Sequence, residues 1–81
     1  MKRIKKLTEF KVGEKYLFIS KLGNKSLGIS TELKDGFAIF RIYQSTYKDL
    51  PSGTECCLDE FSFKDGKSYL LTENEFLVEL L

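Results

Sequence analysis

Histidine and tryptophan are absent from this 81-residue chain, proline occurs once and cysteine twice, and no long apolar run appears anywhere. Without histidine there is no imidazole base near neutral pH, no Ser-His-Asp or Cys-His pair, and no imidazole metal ligand. Calcium-type loops need a dense run of carboxylates around a glycine, and none is present. The two cysteines are neighbours, Cys56 and Cys57. Adjacent strand residues point to opposite faces, and a bridge between them would be strained. Two thiolates with no second Cys pair do not make a zinc site. The expectation is one buried and one partly exposed free thiol, which suits a reducing cytoplasm. The basic N-terminus lacks the apolar run of a signal peptide, and no stretch approaches the ~20 apolar residues of a membrane span.

Catalytic inventory is equally thin. A nucleophilic Cys56 or Cys57 needs a base or a cation beside it, yet the adjoining residues are Glu55, Leu58 and Asp59, which raise a thiol pKa. Asp59 and Glu60 point to opposite faces if their strand is regular, so they form no acid/base pair. No Gly-rich phosphate loop is present. The reading is a protein without enzymatic activity, cofactor or metal.

What is there is enough for a core. Apolar residues make up 42% and aromatics 14%, too much for a disordered chain. The length fits one domain, residues 1–81, with a core worth a few kcal/mol. Such a domain gains from a partner or from weak self-association. Richness in Lys, Phe, Tyr and Leu suits a low-GC genome, such as that of a Gram-positive bacterium or its phage.

Charge is segregated along the chain. Residues 1–25 carry eight lysines and arginines against Glu9 and Glu14, a net of +6. Residues 49–81 carry Lys64 and Lys67 against eight acids, a net of −6, and the middle contributes +1. Such a split either presents two opposed patches or closes on itself if the two ends meet in the fold.

Glycines punctuate strand-like segments. Gly23-Asn24, Asp35-Gly36 and Asp65-Gly66 have hairpin-turn chemistry. Lys15 to Lys21 and Phe37 to Gln44 are apolar on both faces; Ser26 to Leu33 alternates, with Leu27, Ile29 and Leu33 inward and Ser26, Gly28, Ser30 and Glu32 outward. Thr54 to Phe63 changes phase: Cys56 and Leu58 share one face, Phe61 and Phe63 the other, as a bulge near Asp59-Glu60 would produce. Lys67 to Thr72 supplies a fifth strand. Thr72 with Glu75 three residues on is a capping-box signature, favouring a short C-terminal helix over a sixth strand. Residues 1–11 read as a flexible basic arm, or as a short helix around Ile4 and Leu7. The sum is a mainly β fold: a small five-stranded antiparallel barrel, SH3-like or OB-like, with a short C-terminal helix.

Gly53-Thr54-Glu55, then Asp65 to Leu71, then Glu75-Phe76-Leu77, resemble the C-terminal end of co-chaperonins of the GroES type, as Val12 to Phe18 resemble the start of a strand in that family. The two pieces lie close together there and far apart here. The resemblance implies shared small-barrel grammar and carries no function.

Three constellations are candidate binding sites. Lys2, Arg3, Lys5, Lys6 and Lys11 could contact phosphates, with Tyr16 or Phe18 stacking bases if they face outward. The acids of the last third, among them Glu60, Glu73, Glu75 and Glu79, could offer a negative face to a basic groove. In the loop after residue 45, Tyr47 and Leu50 make an interface anchor. The functional expectation is a protein-binding module acting on a host protein, of the phage- or mobile-element inhibitor or adaptor kind. The alternative is a nucleic-acid-binding barrel that uses the basic N-terminal segment.

Overall fold

The computed structural model describes all residues, 1–81. Six strands, β1 (Lys2–Ile4), β2 (Lys15–Ile19), β3 (Lys25–Lys34), β4 (Phe37–Ser45), β5 (Glu55–Asp59) and β6 (Lys67–Leu71), are joined by two short helices, α1 (Glu60–Asp65) and α2 (Glu73–Leu80). The strands form one sheet in the order β1-β6-β2-β3-β4-β5, with every neighbouring pair antiparallel. β2, β3 and β4 make the expected meander, turning at Gly23 and Gly36, which take φ of 87° and 85°. Glycine meets no Cβ penalty in that left-handed region.

The sheet is not a closed barrel, and it has six strands rather than five. The chain leaves edge strand β5 through α1 and returns as β6 between β1 and β2. β1 and β5 therefore both remain edges. Residues 1–11 are neither a free arm nor a helix around Ile4 and Leu7. Lys2, Arg3 and Ile4 pair with Leu70, Tyr69 and Ser68, a single 3-10 turn follows at Leu7–Glu9, and Ile4, Leu7 and Phe10 are buried.

Alternation along the strands divides the side chains between two cores. One face buries Ile4, Leu7, Phe10, Tyr16, Ala38, Phe40 and Phe63, with Phe18, Leu58 and Leu70 against them. Its centre is aromatic: Phe10, Tyr16, Phe18 and Phe40 sit with ring centroids 4.5 to 6.3 Å apart, mostly edge to face. That geometry suits ring quadrupoles. The other face buries Leu17, Leu27, Leu71 and Phe76, the last carried by α2.

The expected inside and outside of β3 are revised by this division. Ser26 and Gly28 stand opposite Phe18 and Tyr16, and Ser30 opposite Phe40, so the small residues line the aromatic core instead of facing solvent. Large rings on β2 and β4 need small neighbours between them. Leu33, past a register shift after Ser30, is 42% exposed.

The phase change after Leu58 is a helix, not a bulge. The Asp59 side chain accepts from the Ser62 backbone N–H at 2.8 Å and caps α1, a role for which Asp is among the best residues. Asp65-Gly66 accordingly ends that helix and makes no hairpin. Gly66 has an ordinary φ of −109°, but a Cβ there would sit 2.7 Å from the Ile19 carbonyl oxygen. α2 forms where expected, with the reciprocal bonds of Thr72 and Glu75 at 3.2 and 2.9 Å. No helix is long and apolar enough to cross a membrane.

Candidate functional site

The loop between β4 and β5 is tied down at both ends. Thr46 donates its N–H to the Lys25 carbonyl at 2.9 Å, its hydroxyl accepts from the Lys25 N–H and donates to Asn24 Oδ1, and the Ser26 and Ser45 hydroxyls bond at 2.8 Å. At the far end Ile42 exchanges hydrogen bonds with Gly53 and Thr54, and Thr54 also bonds the Pro51 carbonyl. Gly53, with φ of 93°, makes the reversal. This frame sets Tyr47 and Leu50 over one end of the aromatic core.

Beneath them lies a pocket of about 200 Å³. Phe18, Phe40, Ile42 and Leu58 supply its apolar wall, and Ser20, Ser26, Ser62 and Ser68 contribute hydroxyls. Cys56 also lines it, and burial, with a lesser contribution from Cys57, pushes that thiol pKa up. A thiol held protonated is a small apolar surface rather than a nucleophile. Lys67 is the one ionisable group with a full charge in the lining. The site can therefore take an apolar group and offer hydrogen bonds around it.

Tyr47 and Leu50 thus line the same pocket. Phe18, Phe40, Ile42, Cys56 and Leu58 complete it; the sequence marked Phe18 only as a base-stacking candidate and Cys56 only as a thiol, and Phe40, Ile42 and Leu58 for no site. The available signal was the shared face of Cys56 and Leu58, which points into it.

The acidic candidates do not form one face. Glu60 starts α1, which packs on β5 and β6, while Glu73, Glu75 and Glu79 lie on α2, which packs against β2, β3 and β6. Three of the four are engaged within the chain. Glu73 Oε2 meets Lys15 Nζ at 2.8 Å and raises the lysine pKa. Glu75 binds the N-terminal amino group of Met1 and accepts from the Thr72 N–H; those two contacts, in that order, hold its carboxyl below the usual range. Glu60 is 3.7 Å from Lys64. Glu79 makes no ion pair.

The charged ends of the chain therefore meet, because β6 lies between β1 and β2 and delivers α2 to the basic third. Lys2, Arg3, Lys5, Lys6 and Lys11 nevertheless stay exposed and outside every ion pair. Arg3 and Lys5 share a recess with Lys64 of α1. Tyr16 does not face outward to stack bases: it is fully buried, its hydroxyl accepting the Lys11 N–H at 2.8 Å. Phe18 is half-buried, packed against the aromatic core and lining the pocket. No group of three or more His, Cys, Asp or Glu is placed to hold a metal ion.

Compared with protein-family models, curated proteins and solved structures, the chain matches none. The functional reading therefore rests on this geometry.

Proposed function

We propose that the chain is a non-enzymatic protein-binding module that receives an apolar side chain of its partner in the pocket under Tyr47 and Leu50. The observation that carries this reading is a mostly apolar space of about 200 Å³ at the end of a filled aromatic core. A cavity of ~150 Å³ holds a benzene ring, so this one accommodates a Leu or Phe side chain. Tyr47, 39% exposed at the rim, is the residue type that anchors interfaces. Occupancy of another protein is how an inhibitor or adaptor of this size would act.

The test is capture from nuclease-treated bacterial lysate by the wild-type protein and by folded Tyr47→Ala and Leu50→Asp variants. A defined protein retained by the wild type and lost by both variants supports the reading. Equal retention by all three refutes it.

A second reading is favoured by the five free cations of the N-terminal segment, two of them sharing a recess with Lys64. It assigns that surface to a nucleic-acid backbone. Binding to single-stranded DNA would then weaken with salt at a slope of ~0.7 per phosphate contacted. A flat salt dependence removes it.

A further inference from the structure

The two edges of the sheet are unlike. β1 is three residues long and carries Lys2 and Arg3, and lysines on an edge deter pairing with other chains. β5, Glu55–Asp59, pairs with β4 alone and has neither lysine nor proline. Its register shows which backbone groups are free. Ile42 directs both its N–H and its C=O toward the β5 side, bonding Thr54 and Gly53. Alternation then turns Phe40 and Ala38 the same way, so their partners Cys56 and Leu58 are the bonded residues. The N–H and C=O of Glu55 and Cys57 point away from the sheet, along the open edge.

The side chains alternate in step. Cys56 and Leu58 line the pocket on one face. Glu55, Cys57 and Asp59 alternate to the other and are exposed, Cys57 also touching the rim of the pocket. The Glu55 carboxylate stands 3.9 Å from Arg41 at the surface, and Asp59 Oδ1 caps α1.

We infer that β5 is a strand-addition site for an extended segment of a partner protein bearing the pattern basic–apolar–any–apolar–basic. This rests on the protein-binding reading and specifies how the partner lies. Residues opposite Cys56 and Leu58 send apolar side chains toward the pocket, and residues opposite Glu55 and Asp59 meet carboxylates. Main-chain bonds to Glu55 and Cys57 supply affinity, and the alternate pockets supply specificity.

A second copy of the chain is a poor occupant. Antiparallel pairing of β5 with itself about Cys57 sets Glu55 against Asp59 twice, and like charges directly opposite are destabilising. The basic edge β1 offers one apolar residue, Ile4, and that residue is already buried in its own core.

The experiment screens the whole protein with a ribosome-displayed library of random short peptides, then repeats the binding with Cys57→Pro and Glu55→Lys. Proline at position 57 removes an outward N–H without breaking a bond to β4, a position at which an edge strand tolerates it. Glu55→Lys serves if the proline variant fails to fold. Selected peptides should show the alternating pattern and bind about tenfold more weakly to Cys57→Pro and about two- to tenfold more weakly to Glu55→Lys. Amide exchange at Glu55 and Cys57 should slow about tenfold in the complex, with Cys56 and Leu58 unchanged.

Peptides that need Leu50 yet bind the Cys57→Pro and Glu55→Lys variants as they bind wild type would overturn strand addition and leave the pocket reading standing. Peptides indifferent to Leu50, Cys57 and Glu55 alike would overturn both. Failure to select any peptide overturns strand addition, as does self-association that Cys57→Pro abolishes, which gives the edge to a second copy.

Discussion

Replacing Phe40 by alanine should cost about 3–5 kcal/mol, the range for emptying a buried phenylalanine site. The upper half of that range applies because Phe40 is 2% exposed and its ring meets Phe10, Tyr16 and Phe18 at 5.0, 5.9 and 4.5 Å. Those neighbours are anchored on β2 and on the turn before it, so they cannot collapse into the space. A chain of 81 residues has a total stability of about 4–12 kcal/mol, so Phe40→Ala should be close to unfolding at room temperature. Phe40→Leu keeps most of the volume and should cost under ~1.5 kcal/mol. Phe61, 74% exposed on α1, is the control, and its alanine variant should stay within ~0.5 kcal/mol of wild type. Urea titration followed by far-UV circular dichroism measures all three. A Phe40→Ala loss below ~1.5 kcal/mol would refute the reasoning, as would a Phe61→Ala loss as large as that of Phe40→Ala.

Three further outcomes follow from single contacts. Tyr16→Phe deprives the Lys11 N–H of its acceptor at 2.8 Å and should cost about 1–2 kcal/mol in the same titration, with faster amide exchange at Lys11. Gly66→Ala places a Cβ 2.7 Å from the Ile19 carbonyl oxygen, a backbone atom that cannot swing aside, and should cost about 1–3 kcal/mol; a variant as stable as wild type contradicts the close approach. Glu9, Asp59 and Glu75 all have lowered pKa values: Glu9 through the Lys5 and Lys6 N–H groups, Asp59 through Ser62, and Glu75 through the N-terminal amino group and Thr72. A depressed folded value stabilises above the ordinary 4.5 of Glu and 3.8 of Asp and is lost as pH falls through the folded one. Melting temperature should therefore drop in acid below those values, and Glu75→Gln should make the drop shallower.

The parts of the fold legible in the sequence are those decided within a few residues. Hairpins at Gly23 and Gly36 and the capping box of α2 are local chemistry, and all three stand in the structure. What escaped depends on pairing at long range. The six-strand count needs Lys2–Ile4 to meet Ser68–Leu70, and nothing in Lys-Arg-Ile announces a partner so distant in the chain. β3 misled for a related reason. Ser26, Gly28 and Ser30 look like a solvent face until Phe18, Tyr16 and Phe40 are known to stand opposite. α1 had a local signal, an Asp N-cap with Glu60 in its first turn, but its six residues are too few to show a helical period. Tyr47 and Leu50 were recognisable as an exposed aromatic and aliphatic pair in a loop. Their pocket was not, because it is built from β2, β4, β5 and β6 together.

Segregated charge acquires a physical meaning from the topology. Inserting β6 between β1 and β2 draws the acidic third against the basic one, and Lys15–Glu73 and Met1–Glu75 consume part of the difference. The two edges still differ in sign: Lys2 and Arg3 lie on β1, and Glu55 and Asp59 on β5, where Glu55 stands 3.9 Å from Arg41 and Asp59 caps α1. An open sheet is exposed to pairing with its own copies at both edges. Here each edge repels its like, so homotypic pairing is opposed at both ends by charge alone. The protection costs little, since exposed charges need no desolvation while the edge stays free. It also makes β5 selective. A strand that approaches this edge must bring cations to Glu55 and Asp59 and apolar groups to the pocket side. β1 brings Lys2 and Arg3, but its one apolar residue, Ile4, is buried in its own core, and β5 brings acids.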